Sequence, residues 1–150
     1  MPTVTTSSNL SRTELKSVAK KADAKLYYRS KDGDFALFEG DSRNVLRALK
    51  EANVEPNLIY ADPPYNLSNG GISCQSGKMV SVNKGKWDVS KGPEADHEFV
   101  LSWLECCLNS LEKNGAVWVS GTHHIIFSVG FALQKLGAKL LNTVVWEKSA

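Results

Sequence analysis

Two short apolar runs, FALFEGD (Phe35 to Asp41) and NLIYAD (Asn57 to Asp62), stand one helix-length apart, and each stops at an aspartate. Between them Val45, Leu46 and Leu49 recur at helical spacing until the chain breaks over residues 53–56. Strands separated by a helix in such close succession predict a right-handed crossover in a parallel sheet. Open parallel sheets bind their ligands beyond the carboxyl ends of the strands, which is where Asp41 and Asp62 fall.

The remaining segments extend the same α/β plan. Good helix formers from Arg12 to about Leu26 follow Ser11, with Glu14 placed three residues on as the second half of a capping box. Glu94 to Lys113 sets Phe99, Val100, Trp103, Leu104, Cys107, Leu108 and Leu111 on one helical stripe that stops at Asn114-Gly115. AVWVS (Ala116 to Ser120) predicts a third strand, His124 to Leu136 a helix closed by Gly137, and KLLNTVVWEK (Lys139 to Lys148) a fourth strand. Residues 66–93 are rich in Gly, Ser, Asn and Lys, and a loop of that length inside a domain is expected to be mobile or functional. The organisation expected is a basic tail and helix over residues 1–31, then a partial, mostly parallel sheet of about four strands with flanking helices over 32–150. With 150 residues, such a sheet is a marginal unit or part of something larger.

Charge and cysteine usage narrow the setting. The overall charge is +2, too small to imply a polyanionic partner by itself, yet residues 1–31 carry seven basic side chains against Glu14 and Asp23. Such a segment lies on phosphates or forms a solvated helix face, and the second is the commoner case. Three cysteines, Cys74, Cys106 and Cys107, make an odd count that argues against a disulfide framework and fits a reducing cytoplasm. No run reaches membrane-spanning length.

Several chemical signals fail on spacing. Gly71 and Gly77 are separated by five residues where a phosphate-binding loop needs four, and Met79 stands where Ser or Thr would hold magnesium. His123-His124 and His97 lack spaced partners for a metal, so no metal site is expected. Cys106 and Cys107 sit in an apolar helix stripe as small hydrophobes, and no Ser or Cys occupies a nucleophile elbow.

The tetrapeptide Asp62-Pro63-Pro64-Tyr65 resists dismissal. Two consecutive prolines fix φ and remove two N–H donors, so the backbone leaves the strand extended with carbonyls free to accept. Asp62 adds an acceptor-only carboxylate, and Tyr65 adds a flat aromatic face. Together they suit a planar group bearing an exocyclic NH₂. A helix-capping Asp followed by a Pro-Pro turn explains the same four letters equally well.

Context separates the two. LFEGDSRNVLRAL, LIYADPPYN, KWD, WLECCLNSLEKNGAVWVSG and LNTVVWEK occur in an order that resembles the amino-methylating, S-adenosylmethionine-dependent DNA methyltransferases, in the class that begins with its catalytic half. The likeness runs from Phe35 to Lys148. With Asp first, the tetrapeptide is similar to the adenine-N6 form, whereas cytosine-N4 enzymes usually have Ser there. The resemblance implies a Rossmann-like sheet, a flipped adenine stacked on Tyr65 at about 1–3 kcal/mol, and N6 protons held by the Asp62 carboxylate and the Pro63 carbonyl. It implies Asp41, Asp62 and Pro63 as contacts of the cofactor S-adenosylmethionine, and an N-cap for the helix starting at Ser42 is a second role for Asp41, compatible with the first. It further implies that Asn66, Lys84, Lys86 and Trp87 approach DNA or cofactor, and that Trp146 and Lys148, matching the family's NxIxWxK strand, border the base pocket. A solvated loop and a core strand are the competing readings of those two groups.

One departure from the family pattern is large. The glycine-rich cofactor loop, of the form DPFxGSGT, and the DNA-recognition region are absent from these residues. The expectation is therefore the N-terminal, catalytic-motif part of a cytoplasmic restriction-modification methyltransferase that binds cofactor poorly and is inactive alone. A non-catalytic nucleic-acid-binding subunit completed by a second chain and a cytosine-N4 enzyme are the alternatives. DNA is the expected partner, with the missing C-terminal segment, a complementary subunit or a homodimer also open.

Overall fold

A computed structural model describes residues 10–68, 72–75, 77–81 and 83–147. Helix α1 (Arg12–Lys21) opens on the expected capping box: the Glu14 amide donates to Ser11 Oγ at 3.3 Å, and the Ser11 amide donates to the Glu14 carboxylate at 2.8 Å. The helix ends earlier than its composition suggests. Asp23 adopts a left-handed φ of 50° that stops it, and Lys25–Arg29 forms strand β1 instead of a last helical turn. Leu26, Tyr27 and Tyr28 favour the pleated backbone once a partner is at hand, and β2 (Ala36–Glu39) pairs with β1 antiparallel.

That pairing corrects the expected topology. Among the described residues β2 joins β1, not β3 (Leu58–Ala61), and the strands form three two-stranded sheets in place of one sheet of about four. Strand β3 pairs in parallel with β6 (Ala116–Val119) in the register Leu58↔Ala116, Ile59↔Val117, Tyr60↔Trp118, Ala61↔Val119. The architecture is α/β with a small parallel sheet. Because side chains alternate along a strand, Leu58, Tyr60 and Trp118 share one exposed face, while Ile59, Ala61, Val117 and Val119 are half-buried on the other.

The chain divides into two compact units, Met1–Pro64 with Ser102–Gly121, and Tyr65–Leu101 with Thr122–Ala150. In the first, α2 (Ser42–Glu51) packs on α1 through Val18, Ala22, Val45 and Ala48, with Phe38 and Leu49 against them. Asn53, at a left-handed φ of 60°, ends α2 where the sequence breaks. Helix α3 (Pro93–Ser110) carries the predicted stripe with one exception, the exposed Phe99, and Cys106 and Cys107 are both buried as expected. Leu104, at 0% exposure, is the best-buried side chain of that stripe.

In the second unit, residues 66–93 hold more than a loop. Strands β4 (Ile72–Gln75) and β5 (Lys78–Ser81) form an antiparallel hairpin, and Lys86–Asp88 makes a single 3-10 turn. Helix α4 (Ile126–Lys135) is closed by Gly137 at φ 74°, whose amide donates to the Gln134 carbonyl, as its sequence position predicts. The expected fourth strand does not form: residues 138–147 are neither helix nor strand, and Leu141, Val144, Val145 and Trp146 are exposed. A strand needs a neighbour to satisfy its backbone, and no described strand pairs with this one. No described helix is long and apolar enough to cross a membrane.

Candidate functional site

In the first unit, the parallel pair β3–β6 positions Asp62. Because Ala61 lies opposite Val119, the next residue on each strand, Asp62 and Ser120, emerges at the same carboxyl edge. Ser120 closes the pair: its amide donates to the Ala61 carbonyl at 3.0 Å, and its hydroxyl donates to Asp62 Oδ1 at 2.6 Å. Asp62 itself is exposed, and Pro63 and Pro64 are half-buried. A short hydrogen bond from a neutral hydroxyl orients the carboxylate while leaving its charge in place. Sequence reasoning missed Ser120, although two strands of equal length ending in Asp and Ser were the signal that could have found it.

Asp41 takes the helix-capping role that its place before Ser42 offered. It caps α2, accepting from the Arg43 amide at 2.9 Å, and the Arg43 guanidinium forks onto both its oxygens, with Nη2 at 2.6 Å from Oδ2. Arg43 also donates to Ser102 Oγ at 3.1 Å. The Arg43 hydrogen bonds hold the Asp41 carboxyl below its usual range despite some burial, and Asp41 in turn raises the Arg43 guanidinium. A carboxylate offers about four lone-pair sites, and Arg43 takes up most of them here.

Tyr65 begins the second unit, and there the most densely bonded group is one the sequence did not single out. Asp88, the last residue of KWD, is at 0% exposure. Its Oδ1 accepts from the amides of Tyr65 at 3.0 Å and Asn66 at 2.9 Å, and its Oδ2 accepts from the Leu67 amide at 3.2 Å and the Ser68 hydroxyl at 2.9 Å. Its carbonyl accepts from the Ser68 amide at 3.0 Å, and the Ser68 hydroxyl accepts from the Lys84 amide at 2.7 Å. Burial alone would raise the Asp88 carboxyl, but the Ser68 hydroxyl and the Leu67, Asn66 and Tyr65 amides outweigh it and hold the group below the usual carboxylate range. Lys84 Nζ lies 5.7 Å from the centroid of the Tyr65 ring, within cation–π reach.

The other sequence-derived candidates are less engaged. Lys86 and Trp87 lie exposed on the 3-10 turn, and Trp146 is 89% exposed in the irregular C-terminal stretch. Lys148 lies outside the described residues. His97 serves packing: its ring stacks on Phe131 at 5.2 Å, and its Nδ1 lies 2.8 Å from Ser128 Oγ.

A tetrapeptide of this type at the carboxyl end of a parallel strand can be set beside known proteins. The N6/N4 family model, described as DNA methylase, matches residues 56–150, which include Asp62 to Tyr65, the Asp88 turn and Ser120. The chain belongs to the DNA methylase family. Curated relatives agree with the match. The Type II methyltransferase M2.DpnII of Streptococcus pneumoniae is 44% identical over 113 residues, which cover 75% of this chain and 41% of that protein. M2.LlaDCHI of Lactococcus lactis subsp. cremoris is 42% identical over 125 residues, and M2.MboI of Moraxella bovis 36% identical over 124, each covering 83% of this chain and 45% of the relative. This DNA methylase chain thus spans less than half the length of the relatives it matches.

Proposed function

We propose that the polypeptide carrying this chain methylates the N6 amine of adenine in DNA, with S-adenosylmethionine as the methyl donor and Asp62 as the acceptor that holds the amine. The observation that carries the proposal is the exposed Asp62 carboxylate at the end of β3, oriented by the 2.6 Å bond from Ser120 and followed by Pro63, Pro64 and Tyr65. Aspartate in that place is similar to the adenine-N6 form of the motif. Membership of the DNA methylase family supports the reaction class.

The residues act by position. The Tyr65 ring offers a stacking face for a base taken out of the helix, worth about 1–3 kcal/mol against an unstacking cost of a few kcal/mol. Asp62 and the Pro63 carbonyl accept the two N6 protons, which draws the nitrogen lone pair out of conjugation with the ring and aims it outward. In an in-line displacement the N6 lone pair would take up the methyl group that S-adenosylmethionine would supply, the donor's S–C bond breaking as the N–C bond forms, and one N6 proton would then leave to Asp62 or water. No covalent enzyme intermediate is needed. Asn66, Lys84, Lys86 and Trp87 are the candidates for DNA contact beside Tyr65.

S-adenosylmethionine, when bound, supplies an electrophilic methyl group on a sulfonium. The acceptor chemistry at the β3 edge fits its amine and hydroxyl groups, and on this chain Asp62 and Pro63 would contact it. Asp41, which also caps α2 and pairs with Arg43, would join them. A partial Rossmann-like methyltransferase sheet is the arrangement this assignment requires of the parallel pair.

The test is product analysis of DNA nucleosides by mass spectrometry after incubation with a polypeptide that carries this chain together with the portions its relatives have outside the match. N6-methyladenine is expected, and Asp62→Ala is expected to abolish it without loss of fold. Formation of N4-methylcytosine, or undiminished turnover by the Asp62 variant, would overturn the proposal.

A further inference from the structure

The carboxylate most enclosed in the described structure is not in the Asp62–Tyr65 motif at all. Asp88 gathers three consecutive amides, those of Tyr65, Asn66 and Leu67, together with the Ser68 hydroxyl. Successive amides converge on one centre where the backbone turns through a left-handed residue, and Asn66 supplies that turn with φ 56°. A nest of this kind is built to hold an anion, and here the anion comes from the same chain, at least twenty-one residues beyond the amides it binds.

The arrangement is closed at both ends. Ser68 donates its hydroxyl to Asp88 and accepts with the same oxygen from the Lys84 amide, so the backbone at 65–68 is tied to both ends of the 84–88 turn. The same turn carries the Lys84 ammonium over the Tyr65 ring. Removing a carboxylate from water costs several kcal/mol unless its lone pairs are satisfied, so this one is tolerated only with Tyr65 to Ser68 in this conformation. The conformation in turn sets the Cα–Cβ direction of Tyr65, and with it the region its ring can reach through its side-chain rotamers.

We propose that Asp88 is a positioning residue for methyl transfer, its carboxylate gathering the Tyr65, Asn66 and Leu67 amides so that the Tyr65 ring stands ready for the extruded base. The proposal rests on the adenine-methylation reading above. Asp88 touches neither base nor cofactor; it acts through Tyr65. Preorganisation of this kind is read in turnover more than in affinity, because a displaced stacking ring misaligns the amine even when DNA is bound. A misplacement of about 1 Å can cost about a hundredfold in rate.

The experiment compares Asp88→Asn, Asp88→Ala, Ser68→Ala, Tyr65→Ala and the Asp88→Ala/Tyr65→Ala double variant in the methylating polypeptide. Initial rates are normalised to the folded fraction from thermal melting. Extrusion of the base is followed separately by fluorescence of 2-aminopurine at the target position. With Tyr65 intact, Asp88→Ala is expected to lower kcat about a hundredfold with little change in KM for cofactor, and Asp88→Asn and Ser68→Ala to lower it less. In the Tyr65→Ala background the same Asp88 change is expected to cost nothing further. A role in stability alone would lower both backgrounds equally, and that result would overturn the inference, as would unchanged turnover of folded Asp88→Ala. If Asp88→Ala does not fold, Asp88→Asn and Ser68→Ala carry the same comparison, with unchanged kcat again overturning it. Absence of N6-methyladenine from the unaltered protein would instead reject the adenine reading, and the fluorescence coupling between Asp88 and Tyr65 would still report on positioning.

Discussion

Replacing Asp88 by alanine tests how firmly the segment after the prolines is held. The carboxylate receives four hydrogen bonds, three from backbone amides and one from Ser68. Hydrogen bonds to a charged group contribute about 1.5–3 kcal/mol each, but hiding the carboxylate costs several kcal/mol of that sum. The net loss in Asp88→Ala is therefore about 2–4 kcal/mol, not four full bonds. The loss falls on local opening of residues 65–68, since α3 and β6 do not depend on these bonds. At 1.4 kcal/mol per tenfold, amide exchange at Tyr65, Asn66 and Leu67 should accelerate about 30- to 700-fold. Hydrogen–deuterium exchange with peptide-level mass spectrometry reads this directly, because Pro63 and Pro64 contribute no amide signal of their own. Amides in the middle of α3 serve as the internal reference. Unchanged protection over residues 65–67 in the folded variant would show that the nest carries no energy, and the reasoning from its geometry would fail.

Further outcomes follow from other features. Ser120→Ala removes the 2.6 Å bond to Asp62 and should lower methylation about tenfold while leaving the melting temperature nearly unchanged, as steady-state assay and calorimetry would show. Leu104→Ala, at a side chain with 0% exposure, should cost about 2–5 kcal/mol in denaturant unfolding. Burial, with Cys106 beside it, pushes the Cys107 thiol up to about 11, so iodoacetamide at pH 8 should leave Cys107 unmodified in the folded chain and label it after denaturation. For Asp88 the folded carboxyl lies below its unfolded value of about 3.9, so its contribution is fully present above that value and is lost as pH falls through the lower folded one. Exchange protection at 65–67 should thus be flat from pH 5 to 8, after correction for intrinsic rates, and weaken only in strong acid.

Local signals were legible where they act over a few residues. Ser11 with Glu14, the left-handed Asn53 and Gly137 each end or begin a helix by chemistry contained in one turn, and each does so here. The edge position of Asp62 was legible too, because an apolar run followed by an acid and two prolines leaves the strand few ways to continue. Pairing was not. Whether β2 joins β1 or β3 depends on partners distant in sequence, and the composition of Arg12 to Leu26 masked a helix end at Asp23. The KLLNTVVWEK segment has the residues of a strand and lacks a neighbour, so propensity alone could not make it one. Asp88 escaped notice because a lone Asp between Trp and Val carries no spacing signal: its partners lie twenty to twenty-three residues earlier and are mostly backbone amides, which every sequence has.

The tie between Ser68 and the 84–88 turn also separates what must be kept from what can vary. It pinches the chain at the base of the β4–β5 hairpin, so the residues between form an insert whose two ends are fixed to each other before the hairpin is reached. Lengthening a loop already closed at its base costs only about 0.6 kcal/mol per doubling. Tyr65 is thereby insulated from the length and composition of that insert, and the hairpin becomes a replaceable cassette: exchanged, extended or fused to another module, it should leave the Tyr65 backbone where Asp88 holds it.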